Sequence, residues 1–190
     1  MERLFALLMK IRPMSPDLIK YLEGALQAFE FKARQVILRK GQVSNHIYFV
    51  GSGIVRCYFE DDQEKQTNLW FMEEGNVIVA VESFFNRTPS DEVIVALEDC
   101  ILYGISYDQL YEAYEKFIEF NFHGRELTTR YYVWSMQRVR MMQHMRASEK
   151  YEYTKKTQPG IVDRVPARHL ASYLGFDEAT LSRIKNGHIV

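Results

Sequence analysis

The chain has 190 residues, of which 47% are hydrophobic and 14% aromatic, and its formal net charge is −1. This length and composition predict a folded protein with one large or two small domains. No run approaches the roughly eighteen apolar residues of a membrane span, and the charged N-terminus MERLFALLMKIRP is too short for a secretory signal, so we expect a cytoplasmic protein.

The charge is divided unevenly along the chain. Residues 1–124 carry 12 Lys and Arg against 19 Asp and Glu, a net charge of −7, whereas residues 125–190 carry 12 against 6, a net charge of +6. A basic C-terminal part is what phosphate neutralisation by one domain requires, although a solvated basic helix has the same composition.

The first third of the chain changes from helical to strand-like patterns. Apolar residues at helical spacing predict two helices, over residues 2–11 and 15–31. From Ala33 to about Ser106, short β-branched and aromatic runs with turns every eight to twelve residues predict a sandwich or barrel. The glycines that we expect at hairpins or bulges in this region are Gly41, Gly51, Gly53 and Gly75.

The two cysteines lie inside apolar runs. Neither Cys57 nor Cys100 belongs to a CxxC motif, so both are predicted to be buried hydrophobic residues rather than metal ligands. An iron-sulfur cluster needs four thiolates, and because the chain has two cysteines we expect no such cluster. Haem binding through His46 is an alternative, although a single histidine in a mixed run is more often a hydrogen-bonded structural residue.

After Ser106 the helical pattern returns, first over residues 108–117 and then over residues 118–145. The longer segment repeats at alternating steps of three and four, which predicts a coiled-coil seam and a homodimer. The alternative is that the same stripe covers the chain's own strands. The predicted seam contains Phe120, Gly124, Leu127, Tyr131, Trp134, Arg138, Met141 and Met145.

The segment PARHLASYLGFDEATLSRIKN, residues 166–186, predicts a helix-turn-helix motif that follows a helix and hinge loop over 148–164. A small residue, Ala171, allows close approach of the second helix, and Gly175 allows the positive φ of the turn. Asp177 is expected to cap the second helix. The aliphatic residues that seal the angle are Leu170, Leu174, Leu181 and Ile184.

Two stretches carry a family resemblance. GSGIVRCYFEDDQEKQTNLWFMEEG resembles a hairpin region, and RVPARHLASYLGFDEATLSRI the winged-helix module, of the CRP/FNR superfamily of bacterial transcription regulators. The resemblance covers nearly the whole chain and implies an α+β protein. It implies a jelly-roll, cyclic-nucleotide-binding-like sensor domain at residues 1–117, a dimerisation helix at 118–147 and a helix-turn-helix DNA-binding domain at 148–190.

The sensor part departs from the family pattern. Members that bind cyclic AMP carry a Gly-Glu pair for the ribose and an Arg-Ser or Arg-Thr pair for the phosphate, but this chain reads IVAV at 78–81 and TPSD at 88–91. Without a positive partner for the phosphate, we expect neither cyclic AMP nor cyclic GMP, but an unidentified small-molecule effector. The nearest substitutes are Glu82, Arg87 and Ser90, and Arg87 is equally consistent with a solvated loop charge.

In a helix-turn-helix protein the second helix enters the major groove and the first crosses the backbone. The expected base-reading residues are Glu178, Ala179, Ser182 and Arg183. The expected phosphate contacts are Thr180, Lys185 and Arg168. A homodimer would then read a near-palindrome in double-stranded DNA.

Other classes of function have weaker sequence signals. No paired-histidine metal motif, GxSxG elbow or glycine-rich phosphate loop is present, so we expect no enzyme. The main alternative is a module that binds a ligand or a protein, such as RNA polymerase, without reading DNA specifically. The few residues after Asn186 leave little room for the β-wing that commonly follows a recognition helix.

Overall fold

A computed structural model describes residues 1–187 of the chain. Its helices are α1 (Glu2–Ile11), α2 (Pro16–Ala25), α3 (Val81–Asn86), α4 (Tyr107–Lys116), α5 (Phe120–His144), α6 (Ala147–Thr157), α7 (Pro159–Arg164), α8 (Ala167–Leu174) and α9 (Glu178–Lys185). Its strands are β1 (Gln27–Phe31), β2 (Val36–Leu38), β3 (His46–Ser52), β4 (Val55–Glu60), β5 (Gln66–Met72), β6 (Val77–Ile78), β7 (Glu92–Ala96) and β8 (Cys100–Ser106). Within residues 1–187, no helix is long and apolar enough to cross a membrane.

The strands form two four-stranded antiparallel sheets, in the orders β1-β8-β3-β6 and β2-β7-β4-β5. The alternation of Val55 and Cys57 with Arg56 and Tyr58 sends one set of β4 side chains into the sheet core and the other outward. The core residues between the sheets include Val50, Val55, Cys57, Met72, Ile78, Ile94, Ala96 and Leu102. The predicted β-rich region and the α+β class are confirmed.

The second N-terminal helix is shorter than the sequence pattern predicts. Ser15 caps α2, accepting from the Leu18 N–H, but the helix ends at Ala25, and residues 27–31 form strand β1. Phe29 belongs to this strand and pairs with Leu102 of β8. Strand pairing over the whole of β1 therefore outweighs the local helical spacing that includes Phe29.

The four predicted turn glycines differ in role. Gly41, Gly53 and Gly75 have positive φ, as turn positions require. A Cβ at Gly53 would lie 2.6 Å from the Asp99 carbonyl oxygen, so this position needs glycine for space as well. Gly51 lies within β3, against the Tyr103 ring, at the register shift between Val50 and Ser52, which fits the predicted hairpin or bulge position.

Helix α5 is present where the sequence predicts it, but its predicted seam packs inside the chain. The Tyr131 hydroxyl accepts from the Val77 N–H at 2.6 Å, and the Trp134 ring lies 5.3 Å from that of Trp70 on β5. Met141 is 4% exposed among the C-terminal helices. The predicted seam is therefore on the wrong face of α5 for a dimer contact, because this stripe packs against the protein's own sheet and helices. The seam residues with such contacts within the chain are Phe120, Gly124, Leu127, Tyr131, Trp134, Arg138, Met141 and Met145.

Another face of α5 carries apolar side chains that the rest of the described chain leaves open. Tyr132 is 65% exposed, and Val133, Met136 and Val139 are between 45% and 49% exposed. These residues recur at steps of three and four, so they form one stripe along the helix. We call these four residues the exposed α5 stripe.

The segment 148–164, predicted as a short helix and a hinge loop, is almost entirely helical. It forms most of α6 and all of α7, separated at Gln158. The two helices pack with α8 and α9 in a cluster that also includes Ile54, which precedes β4, and Phe71 of β5. The C-terminal helices are thus seated on the barrel.

Candidate DNA-binding site and sensor pocket

The helix-turn-helix predicted at 166–186 is present as α8 and α9. Gly175 joins them in the left-handed conformation with φ 78°, and its N–H donates to the Ser172 carbonyl while that of Phe176 donates to the Ala171 carbonyl. Ile184 is only partly buried. The predicted motif and its packing residues are confirmed. The residues that fill the angle, each at most 1% exposed, are Leu170, Ala171, Leu174 and Leu181.

Asp177 caps α9 as predicted, and it begins a chain of hydrogen bonds along the helix. Its carboxylate accepts from the Thr180 N–H at 2.6 Å and from the Thr180 hydroxyl. These bonds, with the nearby charge of Arg183, lower the pKa of Asp177. The Thr180 hydroxyl in turn accepts from Arg183 Nη2 at 3.2 Å.

This chain of bonds corrects the expected role of Thr180. The side chain is 9% exposed and its hydroxyl is held between Asp177 and Arg183, so it is not placed to contact a DNA phosphate. Thr180 instead orients the Arg183 guanidinium. Sequence reasoning missed this role because residues three apart on a helix meet only if their rotamers point the same way.

The other predicted DNA contacts lie on the surface. On α9 the exposed residues are Glu178, Ala179, Ser182, Arg183 and Lys185, and on α8 Arg168 is exposed. The α9 N-terminus adds backbone amides and a positive helix end to the same face. Residues 188–190, which bear on whether a β-wing follows Asn186, lie outside the described residues.

A polar junction holds α8 against strand β5. The Asn68 side-chain amide donates to the His169 carbonyl at 2.9 Å, and the Asn68 N–H donates to Ser172 Oγ at 3.2 Å. Asn68 also accepts from Nε of Arg56, which is 5% exposed and stacks over the Tyr58 ring. Burial, followed by repulsion from Arg56 and Arg168, lowers the pKa of His169 to about 4. Gln66 also belongs to this junction, because its side-chain oxygen accepts from Arg56 Nη2.

A charged junction lies beside the polar one. Arg164, at the end of α7, donates to both carboxylate oxygens of Glu74 at 2.8 and 2.9 Å and to Glu98 at 2.6 Å. Its two hydrogen bonds are the first cause of the lowered pKa of Glu74, which is about 2. Because Glu74 also accepts from the Gly53 N–H, this ion pair ties α7 to two turns of the barrel.

The three predicted pocket residues are not brought together as an anion site. The Arg87 guanidinium donates to the Ser44 carbonyl at 2.7 Å and to Asn45 Oδ1 at 2.6 Å, and it lies over the Tyr107 ring. Ser90 is 3% exposed and its hydroxyl bonds to the Glu92 backbone. Glu82 is exposed at the start of α3. The exposed Arg87 guanidinium is thus hydrogen-bonded within a surface loop, as the alternative of a loop charge predicts.

The interior of the second sheet contains an acid that sequence reasoning did not single out. The buried thiol of Cys57 donates to Glu92 Oε2 at 3.2 Å. Burial and the neighbouring Glu82 and Asp91 raise the pKa of Glu92, although the Cys57 bond opposes this. The pairing of Glu92 with Phe59 on β4 places it beside the thiol. Only the strand register reveals this pair, since its members are far apart in sequence.

The remaining sensor chemistries find little support among the described residues. Within residues 1–187, no cluster of three or more His, Cys, Asp or Glu side chains could hold a metal ion. His46 packs its ring against Phe29 and Tyr48, and burial lowers its pKa. Cys57 and Cys100 are both buried free thiols, as predicted.

Comparison with known proteins shows what the chain is similar to. Residues 28–117 match the family model of the cyclic nucleotide-binding domain. No curated protein matches the sequence. Residues 28–117 are therefore similar to a cyclic nucleotide-binding domain, and they contain almost all of the two sheets described above.

The fold is similar, over most of the chain, to those of solved CRP/FNR transcription regulators. FixK2 from Bradyrhizobium japonicum superposes with a TM-score of 0.71 at 15% identity, covering 85% of this chain and 83% of FixK2. The c-di-GMP responsive global regulator CLP of Xanthomonas campestris gives 0.69 at 16% identity and 91% of both chains. The catabolite activator protein of Thermus thermophilus gives 0.57 at 15% identity, over 93% of this chain and 84% of that one. These neighbours are regulators rather than enzymes.

Proposed function

We propose that the protein is a transcription regulator that binds DNA through α8 and α9. The observation that supports this is the open face of α9, where Arg183 stands exposed on a complete helix-turn-helix within a part of the chain whose net charge is +6. An arginine there can donate two hydrogen bonds to guanine, and Glu178 can accept from a cytosine amino group. Arg168 and Lys185 supply phosphate contacts.

We further propose that the protein binds as a homodimer joined through the exposed α5 stripe. Tyr132, Val133, Met136 and Val139 present apolar surface along one side of a helix of 25 residues. A second copy of the same helix covers such a stripe by packing its own side chains into it. The two recognition helices then face half-sites about 34 Å apart, so the target is a near-palindrome.

We propose that neither cyclic AMP nor cyclic GMP controls this protein. The cyclic phosphate needs a cation, but Arg87 is committed to Ser44 and Asn45, and the charges around Glu92 are the acids Glu82 and Asp91. Calorimetry with either nucleotide at micromolar protein is expected to give no heat of binding. A saturable heat with micromolar affinity would contradict this part of the proposal.

The DNA-binding function is tested by a fluorescence titration of random-sequence duplex at several salt concentrations. For a protein that neutralises DNA phosphates, the logarithm of the binding constant falls linearly with the logarithm of the salt concentration. The slope is about −0.9 for each phosphate neutralised. We expect a steep slope that becomes shallower in the Lys185→Ala variant. A module that binds only a protein through α8 and α9 would show no salt-dependent binding to DNA, and that result would favour the alternative function.

A further inference from the structure

Arg138 lies where three parts of the molecule meet. It extends from α5, and its guanidinium stacks over the Tyr173 ring of α8, with Cζ 3.8 Å from the ring centroid. It also lies over the Trp70 ring of β5 at 5.5 Å. Arg138 Nη2 donates to the Tyr173 main-chain carbonyl at 2.9 Å. One side chain thus contacts the long helix, the barrel and the helix-turn-helix.

The positive charge of Arg138 is not neutralised by a nearby acidic side chain. Among residues 1–187 it pairs with no carboxylate, and its buried Nη1 has no hydrogen-bond partner. Burial lowers its pKa. Withdrawing a charged group from water without an opposite charge beside it is unfavourable. We therefore expect Arg138 to act through the geometry of its contacts. Its planar guanidinium stacks on the Tyr173 ring and binds the Tyr173 carbonyl at the same time, so it holds both in one arrangement.

Aromatic side chains surround Arg138 on the barrel side. Trp70 packs against Trp134, one turn before Arg138 on α5, with ring centroids 5.3 Å apart. Tyr173 is 1% exposed and meets the Phe71 ring at 5.3 Å. Of these contacts, the Arg138 bond to the α8 backbone is the directional one, because ring contacts alone allow sliding.

We propose that Arg138 is a positioning residue that fixes the helix-turn-helix in one orientation relative to α5. Since α5 carries the proposed dimer interface, Arg138 would also set the distance between the two recognition helices. The second statement rests on the proposed function, whereas the first concerns the chain alone.

The first statement is tested without DNA by electron paramagnetic resonance distance measurement. Spin labels are placed at Gln137→Cys, an exposed position on α5, and at Lys185→Cys on α9, and the labelled chain is diluted with unlabelled chain so that only distances within one chain are seen. The native cysteines are buried. We expect one narrow distance in the wild type and a broad distribution in Arg138→Met. The matched control, Arg130→Met, removes an exposed arginine of the same helix.

Two further results separate positioning from simple stabilisation. Arg138→Met is expected to keep the thermal midpoint of the wild type, and Arg138→Lys, which retains the charge but not the planar fork, is expected to broaden the distance as Met does. A narrow, unchanged distance in both variants would overturn the proposal. The proposal would also be overturned if Arg138→Met broadened the distance distribution and lowered the thermal midpoint, and Arg130→Met lowered the midpoint by the same amount.

The second statement is tested with a selected palindromic duplex, with derivatives whose half-site spacing is changed by two base pairs, and with a single half-site. We expect the wild type to lose about tenfold in affinity when the spacing changes, because two half-sites must be engaged together. Arg138→Met should bind both spacings nearly equally, with unchanged affinity for the single half-site. An unaltered spacing preference would contradict it. Absence of DNA binding by the wild type would contradict the proposed function, while the distance measurement still decides the role of Arg138.

Discussion

The side-chain amide of Asn68 on β5 donates to the His169 carbonyl on α8 at 2.9 Å. The bond crosses from the barrel to the helix-turn-helix, and the same Asn68 accepts from the buried Arg56. Asn68 is 2% exposed, so it satisfies groups on both sides of the junction without help from bulk water. Contacts with the second sheet therefore help to set the position of α8.

Replacing Asn68 with alanine should destabilise the protein by about 1–3 kcal/mol, because a buried acceptor and a guanidinium are left unsatisfied. Chemical denaturation followed by circular dichroism measures this loss. Gln63→Ala, on an exposed turn of the same sheet, is the control and should change the free energy of unfolding by less than about 0.5 kcal/mol. Equal effects of the two substitutions would show that the junction contributes nothing.

Replacing Arg183 with alanine should cost about 1–3 kcal/mol in specific binding and relax the preference at one base pair. Lys185→Ala is the matched control, since a phosphate contact should weaken binding to all sequences alike and reduce the salt slope by about 1. Titrations of selected and random duplex measure both effects. If Arg183→Ala keeps the wild-type ratio of specific to random affinity, Arg183 does not read a base.

Acid should weaken the seating of α8 through His169. Its folded pKa of about 4 lies below the ordinary value of 6.5, so the unfolded chain takes up the proton first as the pH falls. The stability due to neutral His169 is complete above pH 6.5 and declines towards pH 4. Urea unfolding should therefore show a smaller loss between these values for His169→Gln than for the wild type. Parallel losses would contradict the assignment, and imidazole titration by nuclear magnetic resonance would locate the pKa directly.

A negative charge in the exposed α5 stripe should separate the proposed dimer. Met136→Glu and Val139→Glu place carboxylates where two apolar faces meet, and a buried unpaired charge is strongly unfavourable. Analytical ultracentrifugation should find a dimer for the wild type and a monomer for both variants. Gln137→Glu, exposed on the same helix, should remain a dimer. A wild type that sediments as a monomer at micromolar concentration would refute the interface.

Local sequence signals were sufficient for much of the fold. Ala171, Gly175 and Asp177 form a motif whose parts lie within a few residues of one another, and each has the predicted geometry. The helix predicted to continue through Phe29 failed because the strand partner of Phe29 is more than seventy residues away in sequence.

The candidate site was less predictable because its decisive contacts join distant residues. The regular spacing of Tyr131, Trp134 and Arg138 correctly indicated one buried face of α5, but period alone does not tell whether a sheet or a second helix covers it. The pairing of Cys57 with Glu92 and of Arg138 with Tyr173 depends on strand register and on domain docking.

The most direct test of the account is selection of bound duplexes from a random library by the full chain. Two recognition helices held by α5 should enrich near-palindromes whose half-sites are centred about 10 base pairs apart. Arg183→Ala should lose the preference at one position in each half-site. Enrichment of no sequence, or of single unpaired half-sites alone, would contradict a dimeric, sequence-reading function for α8 and α9.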